Sequence, residues 1–290
     1  MRETEILKII RTYIAGAGDD AAIFPFRDTN LIFTTDMLHR TSDFPPGTTP
    51  YTIGWRSVAV SLSDLAAMGA RPLGVLLALG DPDLKEEFVT ELLNGAIACC
   101  EEAGTLLVGG DLDRHQELTL VSMGIGEATQ PVLRKGAQLG DLVCVTGKLG
   151  RTQAALHLFA AGSLKRANAL FCFSPRVAWG CKLAGLATSM IDISDGLAHS
   201  LHLLARESKV GCSIKESSFP VISDLHEVLA PAEHSEALLF GGEDYELLFT
   251  LPERSVSAID KEVCYSVIGR VTEGKVLLDG NELPDRGYEH

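Results

Sequence analysis

Basic residues are scarce in this chain. Its 290 residues include 25 lysines and arginines against 39 aspartates and glutamates, a formal net charge of −14. Such a balance repels polyphosphate backbones and anionic bilayers, which excludes non-specific nucleic-acid binding and membrane-surface binding. Cysteine is present without pattern. Cys99, Cys100, Cys144, Cys172, Cys181, Cys212 and Cys264 are odd in number and contain no C-x-x-C pair, so neither a zinc site nor a disulfide framework is indicated. Reduced, mostly buried thiols are expected. The apolar run Leu73–Gly80 is far shorter than the roughly 20 residues a membrane-spanning helix needs. Met1-Arg2-Glu3-Thr4-Glu5 lacks the apolar stretch of a signal peptide. A cytoplasmic location is therefore expected. Familiar phosphate signatures are missing as well. Gly140–Lys148 has the wrong spacing for a Walker A loop and continues into Leu149, where Ser or Thr is required. Gly124-Ile125-Gly126 lacks the further glycine of a dinucleotide fingerprint, and no H-R-D or D-F-G set occurs.

What is there reads as a folded α/β protein of one large or two smaller domains, with 46% hydrophobic and 22% charged residues. A helix is expected over Glu3–Thr12, then a short strand Leu31–Phe33 ending in Thr34-Thr35-Asp36. Thr49-Pro50 is a helix start, with Pro at the first helical position. Tyr51–Met68 reads as a buried helix ended by Gly69. Strands Leu73–Leu79 and Leu118–Ile125 flank a helix Leu84–Ala103 and a strand Thr105–Val108 that stops at Gly109-Gly110-Asp111. After a connection over Arg134–Asp141 come strand Leu142–Val145, helices Thr152–Ala160 and Pro175–Leu186, strand Met190–Ile193 and a helix after Gly196. Strands Tyr245–Leu251, Tyr265–Ile268 and Lys275–Leu278 complete the chain. The boundary falls near residue 135, giving an N-terminal α/β half, 1–135, and a C-terminal α/β half, 136–290.

Carboxylates recur where an apolar strand stops or beside glycine: Gly18-Asp19-Asp20, Thr34-Thr35-Asp36, Gly109-Gly110-Asp111, Asp192-Ile193-Ser194-Asp195-Gly196 and Gly241-Gly242-Glu243-Asp244. Each alone is a common turn or cap signature. Asp64 differs, because it interrupts the apolar helix Val58–Met68, where an unpaired carboxylate is costly to bury. Strands that end together bring such acids into one cleft. Their mutual repulsion then calls for a cation, and hard oxygen donors suit Mg²⁺, which also binds substrate phosphates. Glycines let backbone N–H groups approach a phosphate. Metal-bridged phosphoryl transfer is the chemistry these features suggest. His199 and His202, three apart on a helix, read as a solvated face, and Ser194 has no visible His partner for a nucleophile triad.

The motifs G-A-G-D-D-A-A, F-T-T-D-M-L, V-S-L-S-D-L-A-A-M-G-A, V-G-G-D, M-I-D-I-S-D-G-L and G-G-E-D-Y-E-L-L-F-T, in this order from Gly18 onward, resemble the thiamine-monophosphate kinase family. That family belongs to the superfamily of aminoimidazole ribonucleotide synthetase and selenophosphate synthetase. The resemblance implies a two-domain α/β (α+β) fold, with an N-terminal mixed sheet that pairs in a homodimer and a C-terminal α/β sandwich. It implies ATP-dependent phosphorylation of thiamine monophosphate by direct transfer with several Mg²⁺ ions. Asp20, Thr34, Thr35, Asp36, Asp64, Asp111, Asp192 and Asp195 match magnesium-ligand positions. Gly110, Asp111, Arg134 and Ser194 match ATP-contacting positions. Asp43, Glu243 and Asp285 fall at substrate-contacting positions, but Asp43 stands where the family has His, and Asp285 where it often has an aromatic residue. Two alternatives stay open on the sequence: an ATP-using relative with another small acceptor, and a nucleotide-binding regulatory protein without turnover.

Overall fold

The computed structural model describes residues 18–288 and, before them, Ile6, Ile9, Ile10 and residues 12–14. The helix expected over Glu3–Thr12 lies largely outside the described residues. Two sheets follow one another along the chain. The first has five strands in the order β1-β2-β5-β3-β4: β1 (Ala22–Phe26), β2 (Thr29–His39), β3 (Arg71–Gly80), β4 (Leu107–Asp113) and β5 (Thr119–Ala128). Only β3 and β4 run parallel, joined by a helix crossover, so the sheet is mixed. The second sheet has seven strands in the order β12-β11-β8-β10-β6-β9-β7, with β6 at Leu142–Thr146, β7 at Ser189–Asp192, β9 at Leu247–Leu251, β10 at Tyr265–Thr272 and β11 at Val276–Leu278, and Cys144, Met190 and Phe249 of β6, β7 and β9 share one core with the first half.

The helix α1 (Pro50–Ala67) joins the halves. Thr49 Oγ1 accepts the Thr52 N–H at 3.2 Å and Pro50 opens the first turn. Fifteen of its 18 residues are buried, as expected of a helix apolar nearly all round. Along β5 burial alternates with period two, and the inward positions include Ser122, Gly124 and Gly126. The helix lies close over these positions: a Cβ at Gly124 would lie 3.2 Å from the Leu65 side chain and 3.3 Å from Ser61 O. On its other side α1 meets the helix α2 (Glu86–Glu102) backbone to backbone. A Cβ on Gly54 would sit 1.8 Å from Leu92 O, and one on Gly95 would sit 1.9 Å from Tyr51 O. The end of α1 abuts the C-terminal half, where a Cβ on Gly180 would reach 2.1 Å from Ala66 O.

The strand Leu31–Phe33 proves longer than its apolar run, because β2 pairs with β5 from Asn30 through His39 and carries T-T-D inside the ladder. Likewise G-G-D lies within β4 rather than after it. Bare backbone at Gly110 passes so close to β3 that a Cβ would lie 1.8 Å from Leu77 O, which is the strand-interior use of glycine. The strand expected from Tyr245 begins at Leu247, since Tyr245 has φ +50°. The short strands β1, β8 (Gly211–Ile214) and β12 (Asn281–Glu282), and the helices Leu164–Phe171, Ser223–Val228 and His234–Phe240, carried no separate signal.

Candidate active site

Three segments deliver carboxylates to the end of α1. Asp64 and Arg56 are the charged residues of that helix. Side-chain alternation on β2 turns Thr34 and Asp36 toward α1. Thr34 Oγ1 donates to Asp64 Oδ2. Ser61 Oγ donates to Asp36 Oδ2 at 2.5 Å and lies 2.7 Å from Ser122 Oγ. Ser63 Oγ donates to Asp192 Oδ2 at 2.7 Å across the two halves. Asp20 reaches the same place from the loop before β1. Its Oδ1 accepts Arg134 Nη2 at 2.8 Å, and the Arg134 N–H donates to Asp19 Oδ1 at 2.7 Å. One carboxylate oxygen from each of Asp20, Asp64 and Asp192 falls within 4.8 Å of the other two.

The electrostatics are those of an acid cluster that Arg134 compensates only in part. Burial first, then Asp36, Asp192 and Asp20, drive the Asp64 carboxyl well above its usual range. Burial and Asp20 push Asp192, 2% exposed, up to about 8. Burial raises Asp20 and Asp36 as well, against the pull of Arg134 on the first and Ser61 on the second. Burial opposes the charge of Arg134, but Asp20 holds the guanidinium above its ordinary value. Asp20 Oδ2 is buried without a hydrogen-bond partner. An orphan acceptor within an all-oxygen donor set of three acids fits a hard divalent cation such as Mg²⁺.

A second wall is made by residues 241–246, which run beside 192–195 as an extension of the β7·β9 ladder. The Ile193 N–H donates to Glu246 O and the Tyr245 N–H to Ile193 O, both at 2.9 Å, and the Glu243 N–H donates to Ser194 O at 2.5 Å. Each acid of G-G-E-D-Y-E has its own anchor. Glu243 pairs with Arg56, with Nη2 2.9 Å from Oε2. Asp244 accepts the Gly150 N–H at 2.7 Å and the Thr152 N–H at 3.4 Å, at the start of the helix Arg151–Ala160, where a carboxylate is favoured. Burial nonetheless pushes Asp244 up to about 7. Glu246 accepts Arg176 Nε at 2.7 Å and Nη2 at 2.6 Å, together with Thr146 Oγ1 at 2.8 Å. These anchors hold two non-glycine residues, Glu243 at φ +69° and Tyr245 at φ +50°, in a left-handed backbone that costs of order 1–3 kcal/mol each and is met at functional sites.

The structure thus brings Asp20, Thr34, Asp36, Asp64 and Asp192 together, with Arg134 beside them and Ser194 and Glu243 on the adjoining wall. Other predicted residues lie elsewhere. Thr35 points to the opposite face of β2, its hydroxyl donating to Ser122 O at 3.0 Å. Gly110 and Asp111 are exposed on β4, beside a groove of about 640 Å³ that Leu79 and Leu93 also line. Asp195 stays on the 192–195 segment of the adjoining wall, where its carbonyl accepts the Tyr288 N–H at 3.1 Å. Asp43 accepts the His39 N–H at 2.6 Å and Ser42 Oγ at 2.7 Å. Asp285 pairs with His199 Nδ1 at 2.9 Å. The motifs assign no role to Ser61, Ser63, Arg56 or Glu246, and Asp244 stands in one of the five acidic motifs without a role of its own. A lone arginine in an apolar helix and two unassigned acids in G-G-E-D-Y-E-L were the available signals.

Both halves of this two-sheet α/β fold match the AIR synthase related proteins. The family model for their N-terminal domain matches residues 18–128, and that for their C-terminal domain matches residues 138–278. The thiamine-monophosphate kinase of Halobacterium salinarum is 46% identical over 295 residues, covering 100% of both chains. That of Methanospirillum hungatei is 44% identical, covering 100% of this chain and 99% of its own. Among solved structures, AaThiL complexed with AMPPCP and TMP superposes with a TM-score of 0.91 at 29% identity, covering 100% of this chain and 97% of that one. The chain belongs to the thiamine-monophosphate kinase family.

Proposed function

We propose that this protein transfers the γ-phosphoryl group of ATP to thiamine monophosphate, giving thiamine diphosphate and ADP. The observation that carries the reading is the triad Asp20, Asp64 and Asp192, largely shielded from solvent, within 4.8 Å of one another and with one oxygen unsatisfied, in a chain whose full-length relatives are kinases of that name. The reaction joins two polyanions, so neutralisation and alignment supply most of the catalysis. Mg²⁺, when bound, neutralises charge on the transferring phosphates. Asp20, Asp64 and Asp192 would hold it, with Asp36 and Thr34 supporting them. Thr34, Ser61 and Ser63 fix the carboxylate rotamers by donating to them. Arg134, held by Asp20 and Asp19, offers a positive fork to phosphate oxygens. Glu243 offers a carboxylate to the cationic ring of the acceptor. Nothing in this scheme asks a side chain to become covalently phosphorylated.

We also infer a homodimer. The two edge strands of the five-stranded sheet expose Phe24 and Phe26 on β1 and Val108 and Leu112 on β4, and unpaired apolar edges favour pairing with another chain. Dividing the chain at residue 135 gives an N-terminal half holding Asp20 and Asp64 and a C-terminal half holding Asp192 and Glu243. The buried free thiols Cys99, Cys144 and Cys212 suit a reducing compartment, and we read the location as the cytoplasm. Among the described residues no helix is long and apolar enough to cross a membrane. Purified protein incubated with ATP, Mg²⁺ and thiamine monophosphate is expected to form thiamine diphosphate and ADP in equal amounts by chromatography. ATP binding without product, at saturating concentrations of all three, would reject the proposal.

A further inference from the structure

Arg56 is completely buried, yet the chemistry above makes no use of it. It lies two turns before Asp64 on α1. Its Nη1 donates to Phe171 O at 3.2 Å, and its Cζ stands 3.8 Å from the centre of the Phe171 ring. The stacked pair Phe173 and Tyr245, 4.2 Å apart, also borders the guanidinium, with ring centres 5.4 and 5.5 Å from Cζ. Nε has no hydrogen-bond partner, and Nη2 faces Glu243 Oε2 at 2.9 Å, off the line a hydrogen bond requires. For packing alone an apolar side chain would serve better, because burying a charge without full hydrogen bonding is unfavourable. Among the described residues Glu243 is the one carboxylate within ion-pair reach of Arg56. Glu243 itself is pinned through its backbone, by Ser194 O on one side and by Thr152 Oγ1, at 2.6 Å, on the other. Its side chain keeps 29% of its surface exposed.

We propose that Arg56 is a positioning residue that aims the Glu243 carboxylate at the cationic part of the acceptor. The proposal rests on the thiamine-monophosphate reading and deepens it. One rigid helix then spaces two jobs: Asp64 at the phosphates and, about 12 Å earlier along the axis, the anchor for the carboxylate that reads the organic end. Substrate binding and phosphate alignment are coupled through α1 rather than through a mobile loop.

The test is steady-state kinetics on wild type, Arg56→Met, Arg56→Lys and Glu243→Gln, with melting temperatures recorded beside them. Arg56→Met is expected to raise KM for thiamine monophosphate by about tenfold, the loss of one charge-guided contact, and to leave KM for ATP within about twofold, because uniform acceptor binding is what it removes. Glu243→Gln should raise the same KM, and adding Arg56→Met to it should raise it little further. Arg56→Lys, which keeps the charge and loses the fork, should fall between wild type and Arg56→Met. Both KM values and kcat moving together with the melting temperature would show a purely structural arginine and overturn the proposal, as would an unmoved acceptor KM. If Arg56→Met does not fold, Arg56→Lys decides by the same split. Wild type that makes no thiamine diphosphate overturns the functional reading itself, and is seen before any variant is assayed.

Discussion

Removing one charge from the acid cluster should stabilise the metal-free protein, and increasingly so as pH rises. Asp192 is the clearest case. Its carboxyl, with an ordinary value of 3.8, is pushed up to about 8 in the folded chain. The folded state therefore holds that proton more tightly than the unfolded state does. The stabilisation is complete below pH 4 and is lost as pH climbs toward 8. Between pH 6 and 8 the folded side chain is still largely protonated and the unfolded one ionised, so about 2 kcal/mol of stability drains away over that window. For a chain of 290 residues this corresponds to about 3 °C in melting temperature. Asp192→Asn cannot ionise and should escape the loss. The assay is thermal unfolding of both proteins in EDTA at pH 6 and 8. The difference between variant and wild type matters, since other titrating groups cancel. That difference should grow in the variant's favour at pH 8, and millimolar Mg²⁺ should reverse it by stabilising the ionised wild type. A difference that stays constant or shrinks with pH would refute the reasoning.

Asp64→Asn should lower turnover on the order of 100-fold through lost preorganised charge, while its metal-free melting temperature does not fall; near-wild-type turnover would make Asp64 structural. Glu246→Gln should cost about 3 kcal/mol, since it leaves the half-buried Arg176 without its carboxylate, and urea unfolding would report it as a lower midpoint. Val108→Glu combined with Leu112→Glu should turn a dimer into a monomer in sedimentation velocity, with no loss of helical signal; a dimer that persists would place the contact elsewhere.

Asp64 could be picked out of the sequence because the physics against it is local: a carboxylate among Val, Ala, Leu and Met needs a reason. The five acidic motifs, four of them with glycine, were legible for a similar cause, and four of the acids expected to meet, Asp20, Asp36, Asp64 and Asp192, do converge. What was not legible depends on register. Thr34 and Thr35 look equivalent in a string, but the pleat of β2 sends one toward Asp64 and the other toward Ser122 O. The adjacency of Ser194 and Glu243 depends on a ladder joining residues some fifty positions apart, which no window contains. Asp43 and Asp285 are engaged by His39 N–H and His199. The first partnership follows from a single helical turn. The second follows from the path of the last residues across the helix Leu197–Ser208.

Replacing glycine by alanine inside a helix is a standard way to stiffen a protein, worth roughly 0.5–1 kcal/mol where the space allows. Gly54 and Gly95 look like ideal targets for it, mid-helix and remote from every ligand group. Because each is pressed against the opposing main chain, the added methyl would wedge α1 away from α2 and shift Asp64 with it. An engineer seeking heat tolerance would thus lose the enzyme at two positions that no map of its binding groups would mark.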